Sequence, residues 1–294
     1  MKAIKLWAGL VMVVTLVTGF GWVSAARATG PIASECPYGD ARTPSQKLPR
    51  PGVVLVSFSP YSGFWFEPKT IAADGHLSSI LLDNYSEDDP IVSVWQNRTS
   101  CYGSEISRNA WAVTPAGRLY TENGYSGPPT ANFGDMYGRS LNKPIVGMSP
   151  TADGLGYWFV ASDGGIFAFG DATFLGSTGN ITLNKPIVGM AVTPSGQGYY
   201  LVASDGGIFA FGDAQFYGST GNIVLNKPIV GMTVTPSGHG YWMTASDGGI
   251  FAFGDADFHG STGDRILAAP IGGMIPNGTG YTLIGRDGTI YPFQ

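Results

Sequence analysis

The chain has 294 residues, 44 of them glycine, and only 13% are charged, about half the share usual for a soluble domain. Its formal net charge is −5, a balance that does not attract nucleic acid or anionic lipid. Two cysteines and three scattered histidines lack the spacing of a metal site, so neither a metal nor another cofactor is expected.

Residues 1–28 read as a secretory signal peptide. Lys2 and Lys5 form a basic start, Leu6 to Ala26 is an apolar run, and Ala26 and Ala28 supply the small residues of a cleavage site. The run is also close to bilayer length, so an uncleaved membrane anchor is the alternative. Either way the protein is expected to be secreted or held in the cell envelope. Removing Lys2, Lys5 and Arg27 with the leader makes the remainder more acidic still. In an exported chain, Cys36 and Cys101 are expected to pair as a disulfide; two separate buried thiols are the alternative.

Residues 29–50 belong to no repeat. From Pro51 to Gln294 the chain is repetitive. The stretch Gly156–Met190 is written out almost again at Gly198–Met232 and returns, frayed, at Gly240–Met274. Tyr157, Tyr199 and Tyr241 step by 42 residues, as do Met148, Met190, Met232 and Met274. A fixed period near 40, rich in strand formers and glycine turns, marks a β-propeller or a similar closed array.

One unit parses from Pro186 to Lys227. Ile187–Thr193 is a first strand ending in the turn Pro194-Ser195-Gly196. Tyr199–Ser204 is a second strand, Asp205-Gly206-Gly207 a tight hairpin turn, and Ile208–Phe211 a third strand. After Gly212-Asp213-Ala214, residues Gln215–Gly218 are expected to add a short outer strand, giving four strands per blade. Unit starts recur at Pro51, Pro90, Pro144, Pro186, Pro228 and Pro270. Second strands are expected around Phe64-Trp65-Phe66, Ala110-Trp111-Ala112, Tyr157, Tyr199, Tyr241 and Tyr281. The fold expected is all-β, a β-propeller of six four-stranded blades over residues 51–294, with five or seven as alternatives. The last unit stops after its third strand, and residues 29–50 are expected to supply the missing outer strand and close the ring.

The run GYW-x-VASDGGIFAFGDA-x-F-x-GSTG, followed by LN-x-PIVGM, resembles a repeat of exported actinobacterial proteins that are described only as repeat or propeller-like proteins of unknown function. The match is close over Pro144–Met274 and weak over Pro51–Lys143. The resemblance implies a bacterial, secreted or envelope-associated propeller. It brings no active site with it.

A residue copied into every unit serves the unit before it serves chemistry. Asp163, Asp205 and Asp247 are read as hairpin-turn residues, because one carboxylate per turn does not build a calcium loop. Asp171, Asp213 and Asp255 are read as turn aspartates bonded to local backbone amides. Trp158, Tyr200 and Trp242 share one repeat position and are the candidate ligand-binding aromatics, able to stack on sugars or grip a protein; packing between units asks for the same side chains. Tyr217 and His259 vary between units at a shared position and are candidate contact residues. The acidic run Asp83, Glu87, Asp88 and Asp89 in the irregular units is the one place for paired carboxylates of glycoside hydrolysis, although loop neighbours rarely hold that geometry. No catalytic motif is present, so no enzyme is expected. The function expected is a monomeric, non-catalytic protein-interaction scaffold that binds a cell-surface protein. The alternative is a lectin-like module binding cell-wall glycan, and a polysaccharide hydrolase ranks third.

Overall fold

The computed structural model describes residues 53–57, 67–71, 77–79, 92–102, 105–121, 131–286 and 289–294. They form six three-stranded antiparallel sheets in chain order, with no helix among the described residues. The first sheet holds β1 (Val53–Ser57), β2 (Glu67–Ile71) and β3 (Leu77–Ser79); the second β4 (Ser93–Tyr102), β5 (Glu105–Val113) and β6 (Leu119–Thr121). The third is β7 (Ile145–Pro150), β8 (Gly156–Ala161) and β9 (Ile166–Gly170); the fourth β10 (Ile187–Val192), β11 (Gly198–Ala203) and β12 (Ile208–Gly212). The fifth is β13 (Ile229–Val234), β14 (Gly240–Ala245) and β15 (Ile250–Gly254); the sixth β16 (Ile271–Asn277), β17 (Gly280–Gly285) and β18 (Ile290–Phe293).

Each sheet is a simple meander with the second strand in the middle. Its register follows from its turns. In the fourth sheet Tyr199 pairs with Phe211 and Val202 with Ile208, which leaves Asp205-Gly206 as the hairpin. Gly206 has φ +78°, and a Cβ there would lie 1.8 Å from Thr220 Oγ1, so only glycine fits. The Asp205 carboxylate accepts the Gly207 N–H at 3.0 Å, an Asx turn. Asp163 and Asp247 repeat that bond to Gly165 and Gly249.

The middle strands β8, β11, β14 and β17 are buried along all six residues. This follows from period-two alternation with both faces covered. From β8, Tyr157 and Phe159 pack toward the second sheet with Trp111 and Val113, while Trp158 and Val160 pack toward the fourth with Ile187, Tyr199 and Leu201. The same handover joins the fourth sheet to the fifth and the fifth to the sixth. Neighbouring sheets also meet through their first strands: β4 lies beside β7, β7 beside β10, β10 beside β13 and β13 beside β16. β1 lies beside β4 and also against β16.

One expectation is corrected. Among the described residues the third, fourth and fifth sheets have three strands rather than four: Gln215–Gly218 and its equivalents at 173–176 and 257–260 are irregular, because of how they are hydrogen-bonded. In the first unit β2 is described over Glu67–Ile71, and Phe64–Phe66 lie outside the described residues. Residues 1–50, and with Cys36 the proposed Cys36–Cys101 disulfide, and the acidic run Asp83–Asp89 lie outside the described residues.

Candidate binding surface

The site is built from the segments that follow the third strand of each unit. In the fourth sheet this segment leaves β12 where the Asp213 N–H donates to the Gln197 carbonyl at 3.1 Å. It ends where the Thr220 hydroxyl donates to the Asp205 carbonyl at 3.0 Å. It therefore runs along the outer side of the sheet, from the end bearing one turn to the end bearing the other.

Two aromatic side chains hold each segment. The first comes from the middle strand of the same sheet. The Trp158 indole donates to the Thr173 carbonyl at 2.8 Å, the Tyr200 hydroxyl to the Gln215 carbonyl at 2.8 Å and the Trp242 indole to the Asp257 carbonyl at 2.7 Å. Trp111 does the same to Ala131. The second comes from the next sheet. Tyr199 accepts the Leu175 N–H at 3.1 Å and donates to the Gly176 carbonyl at 2.7 Å. Tyr241 holds Tyr217 and Gly218 in this way, Tyr281 holds His259 and Gly260, and Tyr157 holds Phe133 and Gly134. The backbone groups an outer strand would have offered to a ladder are thus spent on buried side chains, which is why no fourth strand forms. Burial pushes the Tyr200 hydroxyl up to about 12 and raises those of Tyr157, Tyr199, Tyr241 and Tyr281, so these clamps stay protonated donors at neutral pH.

This places the sequence-predicted residues. Trp158, Tyr200 and Trp242 are 1%, 0% and 1% exposed, and their rings face the neighbouring sheet's Tyr199, Tyr241 and Tyr281 at centroid distances of 5.9, 5.1 and 5.5 Å. They are enclosed between sheets, the packing use that the sequence also allowed for them. Tyr217 and His259 lie on the held segments, half-buried over the next sheet: Tyr217 against Tyr241 at 5.9 Å, His259 against Tyr281 at 5.9 Å. The buried His259 Nε2 has no hydrogen-bond partner.

The residues missed in the sequence are Phe174, Phe216 and Phe258. They are 57%, 61% and 64% exposed. Each stands between two fixed points: the carbonyl of the residue before it is held by its own sheet, and the N–H of the residue after it by the next sheet. Their constancy at a 42-residue spacing was the available signal; it was absorbed into the expected outer strand.

At the other turn, Asp171, Asp213 and Asp255 accept side-chain hydroxyls, and the backbone amides of Asp171 and Asp255 also favour their carboxylates. Thr235 and Ser237 both donate to Asp255; the Ser237 bond, ahead of a smaller opposing burial effect, holds that carboxyl below its ordinary range. The third sheet has Asp153 where the fourth and fifth have Ser195 and Ser237. Thr151 Oγ1 lies 2.8 Å from Asp153 Oδ1 and 3.0 Å from Asp171 Oδ1, and one hydroxyl proton cannot serve both. Burial and the neighbouring Asp153 raise the Asp171 carboxyl. Burial also opposes ionisation of Asp153, but bonds from the Leu155 N–H and Thr151 outweigh it and hold that carboxyl low. Among the described residues no group of three or more His, Cys, Asp or Glu is placed to hold a metal ion.

Compared with models of known protein families and with curated proteins, the chain matches none.

Proposed function

We propose that this protein is a secreted or envelope-associated, non-catalytic scaffold that binds a cell-surface protein through the outer wall of a six-unit ring. The ring reading is supported by the succession of first strands that neighbour one another and by the adjacency of β1 to β16. The binding reading is carried by one observation: Phe174, Phe216 and Phe258 stand exposed on backbone that is clamped on both sides. Large apolar side chains held rigidly in water cost little ordering entropy on association and serve as anchors for a partner's apolar pockets. Three copies at equivalent positions allow several weak contacts to act together. A protein partner is favoured over a glycan because the aromatics suited to sugar stacking, Trp158 and Trp242, are enclosed.

Co-sedimentation with isolated bacterial envelopes tests this reading. Binding is expected to disappear when the envelopes are treated with protease, and to fall at least tenfold in a Phe174→Ser, Phe216→Ser, Phe258→Ser triple variant. Binding that survives protease and is released by soluble wall sugars would overturn it in favour of the lectin-like reading.

A further inference from the structure

A separate feature lies where the first strands converge. Each of them is the edge strand of its sheet and is hydrogen-bonded on one side only, so its second edge turns toward the first strands around it. These edges line a half-open cavity of about 510 Å³, within the range of about 300–1,000 Å³ typical of small-molecule sites. Its lining includes Met148, Met190, Met232 and Met274, one from each of four successive units, with Thr193 and Thr235. Gly231, before Met232, lets β13 and β16 approach: a Cβ there would lie 3.4 Å from Gly273 Cα.

The chemistry of the lining is selective. None of its described residues carries a charge. A charged guest would surrender its hydration and meet no counter-charge there. The Thr193 and Thr235 hydroxyl protons are already directed at the Asp213 and Asp255 carboxylates and at backbone oxygens. The remaining lining is mostly apolar surface and flexible thioethers that adapt to irregular shapes, with the hydroxyls of Ser149 and Thr233 among it. From these observations we infer that the cavity between the first strands is a binding site for an uncharged, mainly apolar small molecule. It is distinct from the outer phenylalanines and does not depend on them.

The test uses two probes that share a ring system. N-phenyl-1-naphthylamine is neutral; 8-anilino-1-naphthalenesulfonate carries a sulfonate. The neutral probe is expected to bind saturably and the sulfonate at least tenfold more weakly. With 13C-methyl methionine, the neutral probe should shift the resonances of Met148, Met190, Met232 and Met274 and leave Met136 and Met243, which do not line the cavity, unmoved. Gly189→Leu adds bulk at the wall, where a Cβ meets only Val202 Cγ1 at 3.8 Å, and should weaken the neutral probe at least tenfold; Phe216→Ser should leave it unchanged. Equal affinity for both probes, no saturable binding of the neutral one, or shifts that spare the four lining methionines would overturn the inference. The methyl measurement needs no variant, so it stands even if Gly189→Leu fails to fold.

Discussion

At the scale of single residues, the clamping tyrosines carry more of the account than any charged group. Tyr199 satisfies one N–H and one carbonyl that no strand serves. Tyr199→Phe leaves both without a partner beside a buried ring and is expected to cost about 1–3 kcal/mol, measured as a lower urea midpoint. Hydrogen exchange at Leu175 should quicken in the same variant, because Trp158 is then the one aromatic clamp left on the segment. A cost below the error of the measurement would show that the segment is fixed by packing instead. The Ser237–Asp255 bond makes a prediction of opposite character, visible only in its pH dependence. The folded carboxyl titrates below its ordinary value of 3.8. Its contribution is therefore present above that value and lost as pH falls through the folded one. Ser237→Ala should raise the Asp255 titration seen by carboxyl NMR and reduce the loss of stability below about pH 4; an unmoved titration would mean the bond does not set it.

At the scale of elements, the sequence was most legible where one residue type had one physical use. The Asp-Gly-Gly hairpins, the alternation of middle strands and the six proline-led first strands all follow from turn chemistry and period two. Gly206 shows how firmly: Gly206→Ala is expected to cost about 1–2 kcal/mol from its left-handed backbone alone, and more from the clash with Thr220. Thermal melting checks this, and a neutral substitution would contradict the turn geometry. The outer strand was misread for an equally physical reason. Gln215-Phe216-Tyr217 has strand propensity, but propensity is decided by context. Here Tyr200 and Tyr241, distant in sequence, take up the backbone bonds. The same long-range clamping buried Trp158 and Trp242 and exposed Phe174, Phe216 and Phe258. A repeat gives equal constancy to packed and to displayed side chains, so spacing alone could not tell which aromatic faced water.

At the scale of the whole molecule, two arrangements share the local contacts: a closed ring and an open array. They differ in how they bear the loss of a unit. Removing residues 187–228, one full repeat, rejoins nearly identical sequence at the seam. In an open array, stability is a sum of nearest-neighbour terms, and the loss of one unit is modest. In a six-unit ring the deletion breaks closure and exposes two apolar sheet faces, so cooperative unfolding should be lost or its midpoint should fall by more than about 10 °C. Calorimetry distinguishes the two, and a near-unchanged midpoint would rule out the ring.

The most direct test of the central claim, that rigidly displayed phenylalanines grip a protein partner, is the apparent affinity for protease-sensitive envelope sites in single, double and triple Phe→Ser variants at 174, 216 and 258. Stepwise loss is expected, each removal weakening binding several-fold and the triple variant at least tenfold, while melting temperatures stay within a few degrees of the parent because these side chains are exposed. Unchanged affinity in the triple variant, with the fold intact, would contradict the claim.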